Sequence, residues 1–143
     1  MKKVFLALLP FSFAAGLVTA QDLKESQVPA AVKSALKKRY ADAKNVEWEK
    51  EKGNYEANWG GKSKEDNSVQ FTATGDFIEI VKTIPVSQLP SPVLAYIKTH
   101  YKGAKITEAG KVTNAQGKLS YEAEVNKKDI IFDEKGNFVK EED

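Results

Sequence analysis

The sequence predicts an α+β protein made by tandem duplication of one unit, a helix followed by a four-stranded antiparallel sheet. Three observations predict it. Residues 28–40, VPAAVKSALKKRY, return at 89–101 as LPSPVLAYIKTHY, an offset of 61. The same offset carries VQFTATGDFIEI at 69–80 onto IIFDEKGNFVKE at 130–141. Between these matched ends, apolar and charged residues alternate with the period of a strand.

The first 20 residues read as a leader, not as part of the fold. Lys2 and Lys3 precede the apolar run VFLALLPFSFAAGLV, which closes on Val18, Thr19 and Ala20. That is the pattern of a secretory signal peptide, with the cut expected after Ala20. The run is short for a membrane span and Pro10 interrupts it. No cysteine follows it to carry a lipid anchor. The expected product is a periplasmic or secreted chain that is not inserted in a membrane. Its expected repeats are 21–84 and 85–143.

Loss of the leader changes the charge. The formal +2 of the full chain rests on Lys2 and Lys3, and without them 20 basic residues face 20 acidic ones. The basic balance therefore gives no argument for a nucleic-acid partner. Lysines and acids are interleaved, as in EWEKEKGNYE, which reads as a solvated surface. The absence of cysteine excludes thiol catalysis, disulfide exchange and thiolate metal sites. The chain must fold on apolar burial alone, and it is long enough to do so.

The first helix is expected to start near Pro29, where a missing N–H is harmless. Val28, Val32, Leu36 and Tyr40 then fall on one face, with Lys33, Lys37, Lys38 and Arg39 mostly turned away. About three turns are too few to persist alone, so this face needs a sheet to cover. In the second copy Val93, Ile97 and Tyr101 repeat Val32, Leu36 and Tyr40, behind Leu89 and Pro90. Ala43 and Ala104, both small, let the returning chain pass close to the helix end.

Strands are expected at about 45–51, 54–60, 67–73 and 76–82, and again at about 105–112, 118–125, 127–133 and 136–141. The short gaps allow only antiparallel connections. Turn residues punctuate them: Gly53-Asn54, Gly60-Gly61, Thr74-Gly75-Asp76, Asn126-Lys127 and Lys135-Gly136-Asn137. Tyr121-Glu122-Ala123 echoes Tyr55-Glu56-Ala57 at an offset of 66, so the copies differ in a middle loop. Residues 83–88 form a short linker.

No catalytic, cofactor or metal site is predicted. His100 is the sole histidine and sits near a helix end, a position that suits capping or plain exposure. Glu65, Asp66, Asn67 and Asp76 are too sparse for a calcium loop. The surface of interest is instead the sheet face opposite the helices. Alternation places Glu47, Glu49, Glu56, Glu122 and Glu124 there, and the expectation is a wet acidic face able to dock a protein or peptide. Trp59 is a core residue or, if at a rim beside Gly60, Gly61 and Lys62, an interface anchor. Tyr96 is a second anchor, since the first helix has Ala35 at the equivalent position.

The helix pattern V/L-P-x-x-V-x-x-x-L/I-x-x-x-Y-x-x-A reads Val28, Pro29, Val32, Leu36, Tyr40, Ala43, then Leu89, Pro90, Val93, Ile97, Tyr101, Ala104. It is followed by the hairpins of Phe71, Gly75, Phe77 and of Phe132, Gly136, Phe138. Together these resemble the PepSY-like proteins, small secreted or periplasmic bacterial proteins with a beta-lactamase-inhibitor-like fold. The resemblance covers nearly all of 28–141. It implies that helical structure packs on one side of a four-stranded sheet in each repeat. The named inhibitor is disulfide-linked and this chain has no cysteine, so the inhibitor label describes architecture. The expected function is that of an exported, non-enzymatic binding protein, monomeric or weakly dimeric. It would be inhibitory or regulatory toward a protein of the cell envelope. The alternative is a structural or housekeeping envelope protein with no dedicated ligand site.

Overall fold

The computed structural model describes residues 20–142, so the expected leader falls, but for Ala20, outside the described residues. The chain forms two compact units, one ending at Ile80 and one beginning at Val81. The first contains β1 (Gln21–Leu23), α1 (Ala30–Arg39), β2 (Glu47–Glu51), β3 (Asn54–Trp59) and β4 (Asn67–Phe71), with a 3-10 turn at Glu25–Gln27 before α1. β5 (Phe77–Thr83) begins in this unit and runs into the next. The second contains a 3-10 turn at Val86–Gln88, α2 (Ser91–His100), β6 (Ile106–Asn114), β7 (Leu119–Val125), β8 (Lys128–Asp133) and β9 (Phe138–Glu142). Within each unit every strand lies beside its sequence neighbour, in the orders β1-β2-β3-β4-β5 and β6-β7-β8-β9. The registered ladders are antiparallel.

Both helices start and stop as their residues dictate. Pro29 and Pro90 stand just before the first helical residue, in extended conformation, not inside it. Their carbonyls accept the first helical N–H groups, from Val32 and from Val93. Tyr40 N–H donates to Leu36 O at 2.7 Å and Tyr101 N–H to Ile97 O at 2.8 Å, which closes each last turn. Val32 and Leu36, and likewise Val93 and Ile97, are buried against their own sheets. The first core gathers Trp48, Tyr55, Ala57, Trp59, Val69, Phe71 and Ile80 under α1. The second gathers Ala109, Ala123, Val125, Ile130 and Phe132 under α2.

The repeated hairpins lock each sheet to its helix. Gly75 has φ +86°, and a Cβ there would stand 2.7 Å from the Ala31 carbonyl oxygen of α1. Gly136 repeats the device with φ +84°, and its missing Cβ would meet Pro92 at 3.1 Å. Glycine is thus required twice over, by backbone conformation and by the closeness of the helix. The tightest two-residue turn of the first unit uses Lys52 and Gly53, both at positive φ, not Gly53-Asn54.

Two further expectations change. Residues 21–23, ahead of the first expected strand, form a strand as well: β1 pairs with β2, Leu23 opposite Trp48. Three residues with a single apolar one cannot show an alternation, so this strand has no sequence signature. The sheet face opposite the helices is also not uniformly wet. Glu51, Glu56, Asn58, Ser68, Gln70 and Glu79 in the first unit are buried, as are Val112, Glu122 and Ile131 in the second. Alternation tells which face a side chain takes, not whether that face is covered. Glu56 lies on a strand with partners on both sides, registered with Glu49 and with Gln70, and the side chains of Asn58 and Gln70 close on its carboxyl group.

Candidate protein-docking surface

The second helix presents more than its core stripe. Val93 and Ile97 point into the sheet, and Tyr96 lies on the flank nearest β9. Its ring stacks face to face on Phe138, 4.9 Å between centroids and 7° between planes. The edge of Phe132 meets it from the core at 5.5 Å. His100, one turn on, covers the Tyr96 ring at 3.9 Å. Its Nδ1 lies 3.0 Å from the Tyr96 carbonyl oxygen, so the protonated Nδ1 tautomer donates there and fixes the imidazole plane. His100, Tyr96 and Phe138 therefore form one continuous aromatic pile.

β9 displays the end of this pile. Its ladder with β8 pairs Ile131 with Lys140 and Phe132 with Phe138, leaving Val139 as an extra residue. A bulge of this kind bends a strand and re-aims its side chains. Phe138 is 42% exposed and Val139 46%. They are the exposed large apolar side chains among the described residues, and they are adjacent. The flanking charges are already neutralised: Lys140 is paired with Glu142, and Glu141 with Lys128 at 2.6 Å. Glu141 also accepts the Tyr101 hydroxyl. Burial and that carboxylate push the Tyr101 hydroxyl up to about 12, while Lys128 and then Tyr101 hold Glu141 below the usual carboxylate range.

The first unit treats the same positions differently. Phe71 and Phe77 meet edge-on at 6.2 Å, as Phe132 and Phe138 do at 6.4 Å. But Phe77 lies under the Arg39 guanidinium, 3.8 Å from its centroid. Arg39 occupies the place of His100, and Ala35 the place of Tyr96. A cation caps the first ring, whereas aromatic rings extend the second.

The other expected interface residues are dispersed. Trp59 is 7% exposed and packs against Tyr40, centroids 5.3 Å apart, so it belongs to the first core and meets the cleft beside Gly60, Gly61 and Lys62 with only a small part of its surface. The turn after it forms a cleft of about 340 Å³ that Lys62 lines with Lys44 and Lys64. Glu47 is exposed and pairs with Lys64 at 2.7 Å. Glu49 and Glu124 are half-buried, and Glu124 accepts the Thr107 hydroxyl. Glu56 and Glu122, at 2% and 5% exposure, are not available at the surface. The Asn58 amide donates to one oxygen of Glu56 at 3.1 Å and the Gln70 amide to the other at 3.0 Å. Burial pushes the Glu56 carboxyl above its usual range, and those two donors offset part of the shift.

Of the expected residues, the structure places Tyr96 alone in the aromatic pile. Phe138, Val139 and His100 were missing from the expected site. The signal was available for His100, which departs from Arg39 as Tyr96 departs from Ala35. Phe138 repeats Phe77, so the repeat itself concealed its exposure. Among the described residues no group of three or more His, Asp or Glu is placed to hold a metal ion. No helix among them is long and apolar enough to cross a membrane.

A family model described as beta-lactamase-inhibitor-like and PepSY-like matches residues 17–59 and 59–140. No curated protein matches the sequence. Among solved structures, a candidate periplasmic protein of Bacteroides eggerthii superimposes with a TM-score of 0.69 at 20% identity, over 80% of this chain and 88% of its own. A DUF2874 family protein of Bacteroides uniformis gives 0.67 at 21% identity, over 79% and 87%. A BLIP-like protein of Bacteroides fragilis gives 0.62 at 23% identity, over 80% and 86%. At these identities the likeness is one of fold.

Proposed function

Since the chain belongs to the beta-lactamase-inhibitor-like, PepSY-like family, we propose that it is an exported, non-enzymatic binding protein of the periplasm that holds a protein partner on the aromatic surface of its second repeat. The observation that carries this reading is Phe138, exposed on the Tyr96 and His100 stack, with the exposed Val139 next to it in the chain. A rigid aromatic platform loses little entropy on binding and offers a large apolar contact. A partner is therefore recognised by an apolar side chain that packs on Phe138. The charges beside the patch are internally paired, so they contribute little to that recognition. The periplasmic part is supported by the export-type leader and by the description of the similar Bacteroides eggerthii protein. A structural envelope protein would not need this patch. Regulation of the partner then follows from occupancy, because the bound face of the partner is covered.

The test is capture from envelope extract followed by titration of the purified captured protein. Phe138→Ser should weaken its affinity by about 30-fold or more, as for loss of a central anchor worth about 2 kcal/mol. The affinity of the unaltered protein should change little between about 0.05 and 0.5 M salt, because screening acts on charge pairs and not on apolar contact. Retained affinity in Phe138→Ser, or a steep salt dependence, would place the partner elsewhere on the molecule.

A further inference from the structure

α2 has a third side, and it faces a cavity. Leu94, Lys98 and Tyr101 follow one another at i, i+4 and i+7, on the flank opposite Tyr96 and His100. With Val86 of the 3-10 turn and Ile106 at the start of β6, they line an open cleft of about 410 Å³. That size lies within the range of small-molecule sites, about 300–1,000 Å³. Leu94, Val86 and Ile106 are only partly buried, so apolar surface is left facing the cleft.

The first repeat serves as an internal control. Positions that build the fold match in both copies: Val32 with Val93, Leu36 with Ile97, Tyr40 with Tyr101 and Ala43 with Ala104. Three apolar positions of the cleft lining do not. Val86, Leu94 and Ile106 stand where the first repeat has Glu25, Lys33 and Asn45. The first unit thus folds with polar residues at all three places, whereas in the second unit the three pack along the edge of the core and leave part of their surface to the cleft. The lysines are retained in both copies, Lys98 and Lys105 against Lys37 and Lys44. Both line the cleft and are exposed, and neither makes an ion pair or hydrogen bond among the described residues.

We propose that this cleft binds a single-chain aliphatic anion, an alkyl carboxylate of medium length. Its chain lies on Val86, Leu94 and Ile106, and its carboxylate is drawn to Lys98 and Lys105. The Tyr101 hydroxyl is engaged by Glu141 and does not serve the headgroup. This site is separate from the aromatic patch and does not depend on it.

Calorimetric titration of the purified protein with three probes tests the proposal. Dodecanoate, below its micellar concentration, should bind saturably at one site. Butyrate, which keeps the headgroup, and dodecyltrimethylammonium, which keeps the chain, should each bind at least about tenfold more weakly. Leu94→Lys writes in the residue of the first repeat. It should weaken dodecanoate by about tenfold or more. Lys98→Gln with Lys105→Gln alters only exposed side chains, so it decides the matter should Leu94→Lys fail to fold, and it should weaken dodecanoate to a similar degree. Absence of saturable binding, equal affinity for butyrate or for the cation, or full affinity in the double lysine variant would overturn the proposal. So would binding seen only with vesicles of anionic phospholipid, which would make the lysines a membrane-surface contact.

Discussion

Phe132→Ala should lower the unfolding free energy by about 3–5 kcal/mol, while Phe138→Ala lowers it by about 1 kcal/mol or less. Both are phenylalanines of one hairpin, facing the same helix, with centroids 6.4 Å apart. Phe132 is fully buried in the second core, so truncation leaves a cavity that close-packed neighbours fill only in part. Phe138 already shows 42% of its surface to water, so truncation removes area that folding had only partly withdrawn. Urea denaturation of the two variants measures the contrast. A loss at Phe138 as large as that at Phe132 would mean that it is a structural residue, and the docking surface would lose its anchor.

Glu56→Gln should remove a pH dependence of stability that the unaltered protein carries. The folded-state pKa of Glu56 is raised by burial, and the amides of Gln70 and Asn58 only partly offset this. The folded chain therefore holds this proton more tightly than the unfolded chain, whose glutamate titrates near 4.5. Below that value both states are protonated and no penalty exists. Between that value and the folded pKa the unfolded glutamate has ionised while the buried one still holds its proton, so stability falls, and the loss is complete once the buried carboxyl has ionised as well. Glutamine keeps the shape and cannot ionise. The stability difference, variant minus parent, should thus grow as pH rises above about 4.5 and then level off. Glu56→Leu should instead destabilise by about 1–3 kcal/mol, because it takes the acceptor away from Asn58 and Gln70 in a buried setting. Denaturation midpoints across a pH series check both. Parallel profiles for parent and glutamine variant would mean that Glu56 is not held in a desolvated site.

The architecture was legible because the chain states it twice. Val32 with Leu36 and Val93 with Ile97 mark the buried stripes, and Gly75 and Gly136 mark the points where hairpin meets helix. A buried apolar residue or a glycine that recurs at the same place in two copies is explained by the unit both copies build. β1 was not legible, since backbone hydrogen bonds hold Gln21–Leu23 to β2 and its side chains add no pattern. Nor was the burial of Glu56 and Glu122. Period two gives the direction of a side chain, while coverage depends on neighbours far along the sequence. Trp59 shows the same limit: a tryptophan before two glycines fits a rim, but Tyr40 closes over it.

The candidate surface was legible only where the copies disagree. Tyr96 stood out against Ala35 by bulk, and His100 against Arg39 by chemistry. Phe138 and Val139 were hidden because Phe77 and Ile78 occupy the equivalent positions, and the sequence does not show that Arg39 covers Phe77. The bulge that leaves Val139 without a partner across the ladder is a register event. Such a shift depends on the pairing of two strands and is not visible in either one.

The most direct measurement uses that disagreement. Tyr96→Ala combined with His100→Arg gives the second repeat the side chains that the first repeat carries over Phe77. This variant should melt within a few degrees of the parent, as a change confined to partly exposed positions allows, yet bind the purified partner at least about tenfold more weakly. Undiminished affinity in a folded variant would contradict this, because the unrepeated side chains of α2 would then have no part in recognition.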